Sequence, residues 1–239
     1  MEPTKQTLLV SGLLVDVYSH PTSSPSSTDP IHALFFLHGS AQDNNIVNTI
    51  KVILTRVMAP DRVNHGSRLV DQKRNLAWSE DPAKNNDQHA VDMYTIQTED
   101  VSFIIDHLPS FLYPSGERMI VEWGICGMSL GGHSTWIALS RARPILRHSI
   151  LPALLPCLLQ NIYRNARLPY RAKDASNPFL GKKVLVISGK EDKLVPWVTS
   201  AEFVDGLEVG EGGIKRVVVE EGAGHECTSG MLKLNFEGG

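Results

Sequence analysis

Apolar positions recur along the chain in two rhythms. Short, almost wholly apolar runs bounded by polar loops occur at Ile31 to Leu37, Ile120 to Cys126, Lys183 to Ser188 and Ile214 to Glu220. Runs of that length, rich in β-branched residues, are the pattern of strands covered on both faces in a parallel sheet. Val52 to Met58 is a weaker candidate of the same kind, and Thr7 to Tyr18, where apolar and polar residues alternate, reads as a strand or hairpin arm. Between the runs the period becomes helical. Gln88 to Leu112 puts Val91, Ile96, Val101, Ile104, Ile105 and Leu108 on one face; Leu130 to Arg141 and Pro196 to Leu207 follow, the last with a proline near its first turn. Strands alternating with helices predict an α/β fold, a three-layer sandwich around a mostly parallel central sheet.

Three stretches fit neither rhythm. Ser19 to Pro30, dominated by Ser, Thr and Pro, marks an exposed turn, and Ile145 to Pro156 is apolar but interrupted by Pro152 and Pro156. Leu158 to Pro178 is richer in Arg and Asn and is expected to form at most a small cap, within 152–178, on a single domain spanning 1–239.

Composition narrows the class. With 239 residues, 42% hydrophobic and 21% charged, the chain suffices for one sizeable core or at most two small ones. A net charge of -3 leaves no surplus of Lys and Arg for a phosphate backbone or an anionic membrane surface. No apolar stretch approaches the ~20 residues that span a bilayer, and the N-terminus carries no signal-peptide core. A cytoplasmic location is therefore expected. Cys126, Cys157 and Cys227 cannot all pair and their spacings match no zinc site, which fits a reducing compartment. Neither a metal nor a cofactor is expected, and oligomeric state is left open.

Gly127-Met128-Ser129-Leu130-Gly131 fits G-x-S-x-G, a serine on a sharp turn between a strand and a helix, where the flanking positions have no room for a Cβ. Chance supplies only about 0.1 such matches in a chain of this composition, and here a strand candidate ends at Cys126 while a helical pattern starts at Leu130. A serine hydroxyl needs a base, and the base an orienting acid. Glu191 and Asp192 follow one strand candidate and His225 follows the next. Acid and histidine thus leave the carboxyl ends of strands, where they can converge with the serine on one edge of the sheet.

Leu37-His38-Gly39-Ser40, Gly127-x-Ser129-x-Gly131-Gly132, Glu191-Asp192-x-x-Val195-Pro196 and Gly224-His225 together resemble the α/β-hydrolase superfamily over about residues 31–228. The likeness is nearest to small, lid-poor serine esterases and dienelactone-hydrolase-like members, and Asp61, Asn64-His65-Gly66 and Arg68 resemble fungal-type relatives. The resemblance implies Ser129 as nucleophile, His225 as general base and then acid, and Asp192, three residues before Val195, as the orienting acid, with Glu191 its rival. It implies oxyanion donors at the backbone N–H of Leu130 and of Ser40, with Ala41 an alternative to the latter.

Other residues read as structural. Cys126 is a small buried hydrophobe on the strand, His133 a packing residue one turn past Ser129, and His38 a strand-end histidine. Asp61 with His65 makes too few ligands for a metal. Trp78, Trp123 and Trp136 read as core or rim aromatics, as does Trp197, for which the alternative is a place in the lining of an acyl pocket. The expected activity is cleavage of an ester, thioester or similarly activated acyl group on a small molecule through an acyl-enzyme. Two alternatives remain: biosynthetic transfer, cyclisation or release of a polyketide-like intermediate, and a non-catalytic binding member. The last is motivated by the short stretches between Ser40 and Pro60 and after His225.

Overall fold

The N-terminal alternation resolves into a hairpin. In the computed structural model, β1 (Thr4–Val10) and β2 (Leu13–Ser19) pair antiparallel. The chain reverses through Ser11 and Gly12 at φ 47° and 94°, two successive left-handed residues as a tight hairpin turn requires. The structure describes residues 4–19, 30–37, 56–60, 66–72, 97–141, 146–152, 170–226, 228 and 230–231, with only the backbone at 56–60, 97–98 and 146–152.

The apolar runs are strands: β3 (Ile31–Leu37), β5 (Ile120–Gly127), β7 (Lys183–Gly189) and β8 (Ile214–Glu220). The weaker candidate is β4, which occupies Arg56–Pro60; residues 52–55 lie outside the described residues. The proline-broken run is also a strand, β6 (Leu146–Pro152). Pro152 is its final residue, so the missing N–H closes the ladder instead of interrupting it.

The strand order is β1-β2-β4-β3-β5-β6-β7-β8. Only the β1–β2 and β2–β4 pairings are antiparallel; every pairing from β4–β3 to β7–β8 is parallel. Strands β3 to β8 therefore end along one common edge.

Helix α1 (Gln97–Leu112) buries Val101, Ile104 and Leu108, while 88–96 lie outside the described residues. Helix α2 (Leu130–Arg141) is buried from Leu130 to Leu139, and α3 (Val198–Asp205) is shorter at both ends than its apolar pattern predicts. All three helices contribute to one core with alternate strand residues Ala33, Phe35 and Leu37 of β3 and Val184 and Val186 of β7. The intervening Leu34, Phe36, Leu185 and Ile187 are buried too, so both faces of these strands are covered, as their unbroken apolar runs demand.

The main core is organised around aromatic rings. Trp136 of α2 meets Phe179 and Phe203 edge-on at 5.6 and 5.1 Å, and Phe35 stacks on Trp123 at 5.1 Å. Of the expected cap, residues 170–178 sit away from the common edge. Asn177 Nδ2 donates to Glu208 O, and Glu208 N–H donates to Tyr170 O at 2.9 Å. That fastens the segment to the chain just before β8, at the end of the sheet where β7 and β8 begin. Residues 153–169 lie outside the described residues.

Candidate active site

Three loops leave the common edge at the ends of β5, β7 and β8. The first is the serine turn. Met128 N–H donates to Leu37 O at 3.1 Å, and α2 begins at once, with Gly131 N–H donating to Met128 O at 2.8 Å. A turn this abrupt forces Ser129 to φ 54°, a left-handed conformation that costs a non-glycine residue about 1–3 kcal/mol. It also brings the strand end against the helix. A Cβ on Gly127 would stand 2.2 Å from Gly131 O and 2.7 Å from Thr135 Oγ1, which is why glycine is required there.

The second loop carries both candidate acids, and their environments differ. Glu191 is exposed, and its backbone N–H donates to Ala223 O at 2.9 Å. Asp192 is 6% exposed. Its Oδ1 accepts N–H bonds from Leu194 (2.9 Å) and Val195 (2.8 Å), leaving Oδ2 facing His225 Nδ1 at 2.7 Å.

The third loop completes the line. His225 Nε2 is 3.0 Å from Ser129 Oγ. A carboxylate can only accept, so Nδ1 carries the hydrogen toward Asp192, and in the neutral imidazole Nε2 is left to accept from the serine hydroxyl. Loops two and three are locked together: a Cβ on Gly189 would lie 2.3 Å from Gly224 O and 2.4 Å from Ala223 O.

Leu130 opens α2 beside Ser129. As the first helical residue, its N–H has no acceptor inside the helix, and it lies at the positive end of the helix dipole. Ser40, Ala41 and His38, together with Asp61 and His65, lie outside the described residues. A cleft of about 300 Å³, counted to its open mouth, lies beside Ser129 and His225 and is walled in part by Met128, Ile187, Glu226 and Met231.

The residues set aside as structural fall accordingly where they are described. Cys126 is buried on β5, and Trp123 and Trp136 are core residues 1% exposed. His133 is buried on α2 and touches the turn through its backbone, its N–H donating to Ser129 O at 3.2 Å. Trp197 packs on the main core at the start of α3 and is not part of the cleft wall. Arg68 forms an ion pair with Asp100 of α1 at 2.6 Å. Among the described residues, no cluster of three His, Cys, Asp or Glu side chains is arranged to hold a metal ion, and no helix is long and apolar enough to cross a membrane.

The backbone bonds from Leu194 and Val195 to Asp192 were not anticipated from the sequence. Their signal is an aspartate two and three residues before the amides it captures, the geometry of an Asx turn.

No protein-family model matches the chain, and no curated protein matches it in sequence. Solved structures do. TT1662 from Thermus thermophilus superposes with a TM-score of 0.63 at 19% identity, over 98% of this chain and 94% of that one. A cold-adapted esterase from an Arctic intertidal metagenomic library gives 0.61 at 16% identity, over 95% and 87%. Dienelactone hydrolase from Anabaena variabilis gives 0.59 at 14% identity, over 94% and 89%. Nothing in these likenesses supports the narrower fungal-type assignment. With the parallel strand order and the turn at Ser129, they show that this chain has the α/β-hydrolase fold.

Proposed function

We propose that the protein is a serine hydrolase that cleaves an ester, thioester or similarly activated acyl group of a small molecule. One observation carries the reading: the unbroken line from Ser129 Oγ through His225 to Asp192, with contacts of 3.0 and 2.7 Å. Serine, base and acid in this order and geometry are the parts that acyl transfer needs. A line this complete favours catalysis over the binding-only alternative.

In this reading the Ser129 hydroxyl attacks the acyl carbon as its proton passes to His225 Nε2, and Asp192 stabilises the resulting imidazolium. The charge that develops on the acyl oxygen is met by the Leu130 N–H and, on the strength of the sequence resemblance, by the Ser40 N–H. One such donor is typically worth about 3 kcal/mol in the transition state. The tetrahedral intermediate collapses as His225 returns the proton to the leaving oxygen or sulfur, releasing an alcohol or thiol. Water then attacks the acyl-enzyme, giving its proton to His225, and breakdown frees the carboxylic acid and restores Ser129.

The test is hydrolysis of p-nitrophenyl acetate and butyrate by the wild type and by Ser129→Ala. Removing the nucleophile should lower the rate by about 10⁴- to 10⁶-fold. An unchanged rate in the variant would sink the proposal.

A further inference from the structure

The loop bearing His225 leaves β8 at Glu220 and is fastened differently on its two sides. On the outward side it is sewn to the acid loop: Lys190 N–H donates to Glu220 O and Glu191 N–H to Ala223 O, both at 2.9 Å. On the return side, the Thr228 hydroxyl lies 2.9 and 2.8 Å from the two carboxylate oxygens of Glu220. With a single proton it donates to one oxygen at a time. The same Oγ1 accepts the Met231 N–H at 3.1 Å. Met231 is thereby seated, 4% exposed, in a second apolar cluster with Leu185, Ile187 and Ala223. Gly230 leaves space for the clasp, since a Cβ there would come within 3.1 Å of Glu220 Oε1.

Among the described residues no cation pairs with the Glu220 side chain; its charge strengthens the bond from Thr228 instead. The imidazole it serves is 27% exposed, so its placement depends on Asp192 and on the closure of the loop beneath it. We propose that Glu220 and Thr228 are positioning residues, whose clasp closes the 220–228 loop and holds His225 Nε2 in reach of Ser129. The inference rests on the reading of Ser129, His225 and Asp192 as the catalytic line. A displacement of about 1 Å in such a group can cost on the order of 100-fold in rate, and loss of the clasp is expected to cost part of that.

The experiment compares wild type, Thr228→Val and Thr228→Ser by p-nitrophenyl acetate kinetics and by the low-field proton resonance of the His225 Nδ1–H, identified by its absence in His225→Ala. The Val variant should lose about tenfold in kcat with KM within about twofold, and its resonance should broaden or vanish. The Ser variant, which keeps the hydroxyl, should restore both. A resonance unchanged in the Val variant, one not restored by Ser, or none in the wild type would overturn the clasp. Should the Val variant not fold, Glu220→Gln is read the same way, with a loss of about threefold in kcat. If the wild type shows the resonance but neither turns over ester nor labels with a fluorophosphonate, the catalytic reading fails, while the Thr228 comparison by resonance still decides the clasp.

Discussion

Asp192 and Glu191 are neighbours with the same charge, and one methylene separates their chemistry. The shorter side chain folds back so that Oδ1 takes the Leu194 and Val195 amides and Oδ2 is aimed at His225. The Glu191 side chain is exposed. Asp192→Asn should therefore lower kcat/KM by about 10⁴-fold, because the amide favours the wrong imidazole tautomer. Glu191→Gln should stay within about twofold, as an exposed substitution. Equal losses in the two variants would show that the acid is misassigned. That Ser129, Asp192 and His225 would meet at one edge of the sheet was legible in the sequence because each follows an apolar run closely. The Glu220–Thr228 clasp was not, because it joins the two ends of a loop whose path no local periodicity encodes.

The serine turn stores strain. Ser129 sits at φ 54° because strand and helix meet with no room for a wider turn. Ser129→Ala keeps that strain, whereas Ser129→Gly relieves it at some cost in unfolded-state entropy. The Gly variant should be the more stable of two equally inactive proteins, by about 1 kcal/mol in denaturant unfolding. A less stable Gly variant would contradict the strained turn. Gly127→Ala should destabilise by about 3 kcal/mol or more, since its Cβ meets backbone oxygen rather than a movable side chain. Element boundaries were legible where composition changes abruptly, as at Leu130 and Ile214. They were obscured where a signal had two meanings. The prolines of 146–156 hid β6, and the alternation from Thr7 to Tyr18 concealed a reversal at Ser11-Gly12.

Across the whole molecule, the two ends of the sheet divide the work. The edge where β3 to β8 finish holds the line of Ser129, His225 and Asp192; the opposite end holds the scaffold together. There Lys182, just before β7, is 6% exposed, and its Nζ donates to Leu139 O of α2 at 2.5 Å. Burial pushes its pKa down from 10.5 to about 8. Between those values the folded protein has released a proton that the unfolded chain still binds, so this group's contribution to stability rises with pH across that interval and is flat below it. Denaturant unfolding at pH 7 and at pH 10 should show the wild type gaining on Lys182→Met at the higher pH, with kcat unchanged by the substitution. A constant difference between the two proteins would rule out the shifted lysine. The fold class was legible from strand and helix alternation, but the division between the two ends was not, because the 170–181 turns and Lys182 act through contacts far apart in sequence.

Everything proposed for the site turns on Ser129 being a nucleophile made reactive by His225. That role is tested most directly by reaction with a fluorophosphonate probe, followed by mapping of the modified residue in the wild type and in His225→Ala. Wild-type protein should be modified stoichiometrically at Ser129, at a rate that falls by about 10³-fold or more without the histidine. Folded wild-type protein left unlabelled at Ser129, or labelling as fast without His225 as with it, would contradict that role.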